Sequence, residues 1–538
     1  MDAIRVGSNG LRGLQTPPER RRQAKSLPHL MALFSIASVL LGADQKKPKG
    51  PVPLPEAHWI IGQTAKGTAI PAYLVPGAAV NSPTVLLVGG LNGFQRTSRG
   101  ITLEIRKYLT RKQRNRPFRL LAIPNANPDA IRMVFPPEGV AYRDNPESHA
   151  LWRWIATQAP DLVLIESNED YGLADALAEN PVAGVAKVAA RDITSSEDIL
   201  DSLPQLLAQS EAHKEMERRV ARPPRAVAEE LAKVYGLEFT QPIYIQALAL
   251  IGQMRLGHTA EVQRMAIPFV NGSRDPLAQA SSLTLGGHLV FAELARKTPG
   301  DQRYLQLVRK AADLGFDEHG QMKASMPYHD EMSDSVFMAT PLLAEAGRLT
   351  GDRKYFDMAA RHFDFMQKLD QRADGLWRHS PLTDAAWGRG NAFPALGMAL
   401  TLSAFPKDHP AYARMVVAFQ QHIAALTRFQ DADGLWHEVI DKPASYAEYT
   451  ATAMIGTAIL RGIRNGWLEQ KSYRPHVEMA WRSVAARTGS DGTLLNVCES
   501  TNKQKTLEDY MNRAALFDKD ARGGAMGLLF ATEMAGLQ

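Results

Sequence analysis

The stretch Asp384-Ala-Ala-Trp-Gly-Arg-Gly-Asn391, preceded by His379, brings together the side chains with the richest chemistry in this chain. It lies fifty residues after Asp334, within Ser333-Asp334-Ser335-Val336-Phe337-Met338. Glycines cost about 1 kcal/mol each inside a helix relative to alanine, whereas Ala392 to Phe405 has a helical pattern. The block therefore predicts a loop feeding a helix, presenting a carboxylate, an indole and a guanidinium together. An indole offers a face to a sugar ring, and a guanidinium offers a fork to a carboxylate. Taken singly, Asp384 reads as a helix cap and Trp387 as core. The joint pattern points to chemistry on an acidic sugar.

The elements that must position these residues fall into two halves. At 538 residues the chain is too long for one ordinary core, so two domains are expected. Between residues 55 and 195, Thr84–Val88, Phe118–Ile123 and Asp161–Ile165 are continuous apolar runs of the kind buried in parallel sheets. Gly89-Gly90 and Pro124-Asn-Ala-Asn-Pro128 punctuate the strand ends. This half reads as α/β, with a boundary near residue 200. Beyond it, strand signals nearly vanish and a repeat emerges. The turn Ala373-Asp-Gly-Leu-Trp-Arg-His379 recurs as Ala432-Asp-Gly-Leu-Trp-His-Glu438, with weaker copies around Gly320 and Gly492. The glycines 320, 375, 434 and 492 lie 55, 59 and 58 residues apart, a period that holds a helical hairpin. Inner helices are expected to start near 242, 281, 335, 390, 448 and 522. They are rich in Ala, Gly and Met, with more charged partners outside. The result is an all-α six-hairpin α/α barrel over residues 201–538.

Composition narrows the function classes. Apolar residues at 45% and charged residues at 22% are those of a soluble globular protein. Residues 1–43 carry six Arg or Lys against Asp2 and Glu19, so they hold +4 of the net +5. The remainder is close to neutral, which gives nucleic-acid binding little support. The same segment has the layout of a secretory signal: Arg20 to Lys25 is basic, Leu30 to Leu41 is apolar or small, and Gly42-Ala43 suits cleavage. A periplasmic or secreted protein with no membrane association after signal removal is expected. Cys498 is the single cysteine and reads as a buried apolar residue.

The C-terminal half, from about residue 240, resembles the unsaturated glucuronyl and rhamnogalacturonyl hydrolases. The carriers are Asp334-Ser-Val-Phe-Met-Ala-Thr-Pro341, Gly347-Arg-Leu-Thr-Gly-Asp-Arg-Lys-Tyr355, Gly375-Leu-Trp-Arg-His379 and Asp384-Ala-Ala-Trp-Gly-Arg-Gly-Asn391. Glu448-Tyr-Thr-Ala-Thr-Ala-Met454 and Arg522-Gly-Gly-Ala-Met-Gly-Leu-Leu529 also fit, while Ala280–Gly286 departs from the family's aromatic-containing segment. The resemblance implies hydration of the double bond of a 4,5-unsaturated uronate at the end of an acidic oligosaccharide, with no metal or cofactor. Such chemistry needs a carboxyl that is first acid and then base, with its pKa raised by burial and a second carboxylate. The resemblance implies Asp384 as acid/base and Asp334 as its partner. His379, Trp387, Arg389 and Asn391 would hold the sugar, with His329 and Trp436 as possible further contacts at the same end.

Residues 44–200 carry a second resemblance, to the zinc carboxypeptidases, on Leu87-Val-Gly-Gly-Leu-Asn-Gly-Phe-Gln95, Pro124–Asp129, Tyr142-Arg-Asp-Asn145 and Ala159–Val163. The positions of the family's first two zinc ligands hold Asn92 and Gln95, and Glu166-Ser167 stand where a His would be the third. Neutral amides are poor zinc ligands, so the resemblance implies a carboxypeptidase-like domain without its metal. Two other functions remain open from the sequence: another uronate-directed glycosidase or lyase on the same barrel, and a non-catalytic carbohydrate-binding protein. The paired acids argue against the last.

Overall fold

The three apolar runs of the N-terminal half become the centre of a mixed sheet because both of their faces are covered. The computed structural model describes residues 52–537, apart from positions 94, 168, 170 and 205. The expected export signal, residues 1–43, lies outside the described residues. The sheet comprises β1 (Trp59–Gln63), β2 (Ala69–Val75), β3 (Thr84–Val88), β4 (Arg119–Ile123), β5 (Leu162–Glu166) and β6 (Ala190–Ile193), in spatial order β1-β2-β4-β3-β5-β6. The four strands from β4 to β6 run parallel, and β1 and β2 add an antiparallel edge. Alternation along β3 sends Val85 and Leu87 toward Ile101, Ile105 and Tyr108 of α1 (Gln95–Thr110). Leu86 and Val88 instead meet Leu151 and Ile155 of α2 (Pro146–Gln158). Helix α3 (Leu173–Glu179) joins the α2 face, and α4 (Ile199–Ser202) joins the α1 face.

The two halves meet through α5 (Glu211–Ala221), whose Ala212 enters the α2-side core and whose Arg219 reaches the Ala486 carbonyl. Helix α6 (Pro224–Ala232) then begins the barrel as its first outer helix. The inner ring is α7 (Tyr244–Arg255), α9 (Ser282–Gly287) running into α10 (Leu289–Lys297), α12 (Ser335–Thr350), α14 (Gly388–Ala404), α16 (Tyr449–Arg464) and α19 (Ala521–Met534). Between them the chain returns through the outer helices α8 (Thr259–Val270), α11 (Gln302–Ala312), α13 (Arg353–Asp370), α15 (Tyr412–Thr427) and α17 (Gln470–Ala486). Each inner helix packs on the next, and α19 closes the ring by packing on both α7 and α6. The observed inner starts fall within two residues of the expected ones. Helix α14 begins at Gly388, so the glycines expected to lie in a loop form its first turn. A Cβ on Gly388 would lie 2.5 Å from the His437 carbonyl oxygen. The glycine admits a close approach that outweighs its helix cost.

Two short antiparallel pairs in the barrel's loops escaped the expectation of an all-helical second half. They are β7 (Trp436–His437) with β8 (Ala447–Glu448), and β9 (Leu494–Cys498) with β10 (Ala515–Asp518), with α18 (Leu507–Met511) inside the second connection. Strand β9 is buried at every residue, so no alternation advertises it. The α/β domain grips this end of the barrel. Arg153 of α2 donates to Asn496 Oδ1 at 2.7 Å and to the Ala515 carbonyl at 2.9 Å, and Tyr142 stacks on Tyr446 with centroids 4.8 Å apart.

The tight inner layer makes a prediction. A Cβ on Gly397 of α14 would sit 2.7 Å from the Phe337 backbone of α12. Gly397→Ala should therefore destabilise the protein by about 1–3 kcal/mol through helix displacement, more than its gain in helix propensity. Urea denaturation with an unchanged midpoint would contradict this close crossing.

Candidate active site

The inner helices bring their N-termini to one end of the barrel, and acidic or aromatic residues stand at those ends. Asp334 precedes α12, Trp387 caps α14, Glu448 caps α16 and Asp520 caps α19. Helix N-termini carry partial positive charge and unsatisfied amide donors, so their convergence favours an anion. Glu448 uses its carboxylate on Thr450 Oγ1, at 2.8 Å, and on the amide of Ala451. Asp520 accepts from the amides of Arg522 and Gly523, both at 2.9 Å, and pairs with the Arg522 guanidinium at 3.0 Å.

At the centre is a contact between Asp334 and His379. His379 is fully buried, and its Nε2 lies 3.4 Å from Asp334 Oδ1, although neither atom has a well-formed hydrogen bond among the described residues. On its other side His379 Nδ1 meets the Tyr510 hydroxyl at 2.8 Å. That hydroxyl accepts from the Gln504 amide, leaving its own proton free for Nδ1. In that arrangement the imidazole proton sits on Nε2, facing Asp334. The ring also packs on Trp387, with centroids 4.5 Å apart. Asp334 keeps 16% of its side chain exposed, so it is the member of this group that solvent or a ligand can touch.

Beneath Trp387 lies a buried charge cluster. Arg389 stacks on the indole with its guanidinium carbon 4.9 Å from the ring centre, and donates to Thr450 Oγ1 at 3.2 Å and the Cys498 carbonyl at 3.3 Å. Burial opposes its charge, and the Glu448 carboxylate beside it favours it. The Trp387 indole donates to Glu438 Oε1 at 2.8 Å, and the Cys498 thiol reaches the same oxygen at 3.1 Å. Burial, then the Glu448 carboxylate, push Glu438 up to about 8. A buried acid with its pKa raised beside a second carboxylate was expected at Asp384; the barrel supplies one at Glu438.

Asp384 itself is on the rim. Its side chain is 81% exposed and pairs with Arg378 at 3.1 Å. It lines an open pocket of about 610 Å³ with Arg372, Arg378, Asp374 and Asp441. Solvent at that position removes the burial its expected role as acid/base required. Arg389 and Asn391, expected to contact the sugar, are fully buried supports. Asn391 bonds the Trp377 amide and the Trp377 and Trp387 carbonyls, which leaves no amide donor over for a ligand. Trp436 is also interior, its indole donating to the Leu426 carbonyl. His329 is half-buried against Phe365, with Nδ1 accepting from the Glu331 amide. The structure thus brings together Asp334, His379, Trp387 and Arg389, and adds Glu438, Glu448, Cys498 and Tyr510. Glu438 closes the second strong copy of the Asp-Gly-Leu-Trp turn, a signal that could have flagged it. Tyr510 follows no motif.

Comparison with known proteins bears on the barrel half of the chain. The model of Glycosyl Hydrolase Family 88 matches residues 279–538. The chain is 26% identical to the unsaturated rhamnogalacturonyl hydrolase YesR of Bacillus subtilis over 254 residues, covering 44% of this chain and 71% of that protein. It is also 26% identical to an unsaturated 3S-rhamnoglycuronyl hydrolase of Formosa agariphila over 243 residues, covering 40% and 64%. The barrel is a glycoside hydrolase domain. Its fold is shared with a Clostridium acetobutylicum (C. acetobutylicum ATCC 824) glycoside hydrolase from family 105, with a TM-score of 0.51 at 18% identity over 58% of this chain and 99% of that one. Among the described residues of the hydrolase domain and its α/β neighbour, no group of three or more His, Cys, Asp or Glu side chains could hold a metal ion.

Glu438 gives a pH prediction. Its folded pKa lies above the unfolded carboxyl value, so the stability it contributes is complete below about pH 4 and is lost as pH rises through about 8. Glu438→Gln, a neutral isostere, escapes that loss. Melting curves should show the variant gaining on wild type between pH 5 and pH 8, by up to about 1.4 kcal/mol per pH unit. Parallel curves would mean that Glu438 is ionised in the folded protein.

Proposed function

We propose that the hydrolase domain releases a 4,5-unsaturated uronic acid from the non-reducing end of lyase-generated oligosaccharides by hydrating its double bond. The observation that carries this reading is Asp334, a partly accessible carboxyl set against the His379 Nε2 at the convergence of the inner-helix N-termini. The names of the relatives, which are unsaturated-sugar hydrolases, support the same substrate class.

The chemistry follows from an enol ether. Protonation falls on C4, the carbon remote from the ring oxygen, and leaves an oxocarbenium ion across C5 and that oxygen. Asp334 gives this proton and then, as carboxylate, takes one from the water that attacks C5. The resulting hemiketal opens by breaking the C5 bond to the ring oxygen, and the hemiacetal exposed at C1 expels the remaining oligosaccharide. His379 holds Asp334 in place and answers its changing charge. Arg522 and the helix N-termini favour the substrate carboxylate. Asp384 acts at the rim, through the ion pair with Arg378, on the outer part of the substrate. We also propose that the α/β domain is a carboxypeptidase-like fold lacking zinc; its support is the parallel strand set β3 to β6, with Asn92 following β3 and Glu166 ending β5. A periplasmic or secreted location rests on the basic-then-apolar segment before residue 44.

The test is turnover of a lyase-generated unsaturated disaccharide, followed as loss of the absorbance of the conjugated double bond. Asp334→Asn should lower kcat by roughly 10²–10⁴, the usual worth of general acid–base catalysis. Asp384→Asn should lower it by about tenfold or less, as befits an exposed ion pair. A folded Asp334→Asn protein with near-normal turnover would sink the assignment.

A further inference from the structure

A second acid lies behind Asp334 without having figured in any motif. Asp370, the last residue of α13, has no exposed side-chain surface, and neither carboxyl oxygen has a hydrogen-bond partner among the described residues. Three chain segments run side by side here. The Arg378 amide donates to the Asp370 carbonyl at 3.0 Å, and the Ser333 amide donates to the His379 carbonyl at 3.0 Å. Asp370, the Arg378-His379 pair and Asp334 are thereby placed on adjacent strands of backbone.

The nearest cation does not neutralise Asp370. The Arg378 Nε is 3.9 Å from Asp370 Oδ1, but the guanidinium spends its hydrogen bonds elsewhere. Its Nε and Nη2 donate to the Leu369 carbonyl at 3.2 and 2.6 Å, and its Nη1 donates to Asp384 at 3.1 Å. The other charged groups facing Asp370 are Asp334 and Glu331, which oppose its ionisation, and Lys503, which favours it but pairs with Glu331 at 3.4 Å. An ionised carboxylate buried without hydrogen bonds is costly, whereas a protonated one is not.

We infer that Asp370 is the partner acid of Asp334: a buried carboxyl that keeps its proton throughout while Asp334 gives up and regains its own, and so acts on the reaction as a positioning residue through Asp334. The inference rests on the reading of Asp334 as the proton donor. Two acids that feel each other's charge ionise in sequence, not together. With Asp370 neutral, Asp334 can hand its proton to C4, exist as carboxylate and recover a proton from water; the Asp370 proton does not move. Were Asp370 ionised, its charge would hold the proton on Asp334 and repel the substrate carboxylate.

The experiment compares the full-length wild type with Asp370→Asn, which preserves shape and neutrality. The variant should fold and keep kcat/KM on the unsaturated disaccharide within about threefold of wild type below pH 7, because it mimics the protonated acid. Burial pushes Asp370 up to about 8. Wild-type kcat/KM should therefore fall as pH rises through that region, while the variant holds its activity to at least about one pH unit higher. In melting curves wild type should lose ground to the variant over the same rise, since a raised folded pKa gives stability that disappears as pH passes through it. Superimposable pH–rate profiles would overturn the inference. So would a variant that fails to fold at pH 6, for an amide then cannot replace what would have to be a charged partner of Arg378. If wild type leaves the disaccharide intact at every pH, the proposed reaction fails, and the melting comparison still decides the state of Asp370.

Discussion

The buried guanidinium of Arg389 is the constraint around which this end of the barrel is arranged. A charge without solvent has to be met by acceptors and counter-charges with good geometry. Those come from segments far apart in the chain: Thr450 and Glu448 at the start of α16, and the Cys498 carbonyl at the end of β9. Trp387 is clamped between Arg389 on one face and the hydrogen bond from its indole to Glu438. Trp387 in turn supports His379, and His379 stands against Asp334. The accessible acid is thus held by a stack of interior residues that never need to touch a ligand.

The polarity of the ring explains why the site is at this end. All six inner helices send their positive termini here, and the opposite end shows the complementary chemistry. Around a cavity of about 230 Å³, Arg255, Arg461 and Arg464 come from the last turns of α7 and α16, and all three pair with Glu533. Basic residues at helix C-termini offset the negative end of the dipole. One end of the toroid therefore gathers the positive helix termini, and the other is closed by its own ion pairs.

The α/β domain takes part in this arrangement through the two strand pairs beside the site. Arg153 fixes Asn496, two residues before Cys498, and Tyr142 packs on Tyr446, two residues before Glu448. Gln158 reaches Asp433 at 2.8 Å, in the turn that leads to β7. Burial, and then Asp431, push Asp433 up to about 6. The domain therefore braces the backbone that carries Glu438, Glu448 and the Cys498 carbonyl. Bracing of this kind needs surface and shape, not a ligand set.

Periodicity in the sequence determined the architecture. The recurrent glycine turn precedes four of the six inner helices, those starting at 335, 388, 449 and 521, since one hairpin per repeat is a local consequence of helix length and turn chemistry. The continuous apolar runs determined the parallel sheet, since a strand covered on both faces must be apolar throughout. The grouping of Asp, His, Trp and Arg falls at the end of the barrel where the inner helices begin. What the sequence left open was depth. Asp384 and Asp334 look alike as letters, yet one sits in solvent beside Arg378 and the other against a buried imidazole. Arg389 and Asn391 look like ligand-binding groups, yet both are fully buried, and both amide donors of Asn391 are used inside. Asp370 and Tyr510 carry no local signal of their surroundings, and the turn that ends in Glu438 does not tell how deeply it is buried. Proton affinity depends on burial and on neighbouring charge, and both come from segments that meet only when the ring closes.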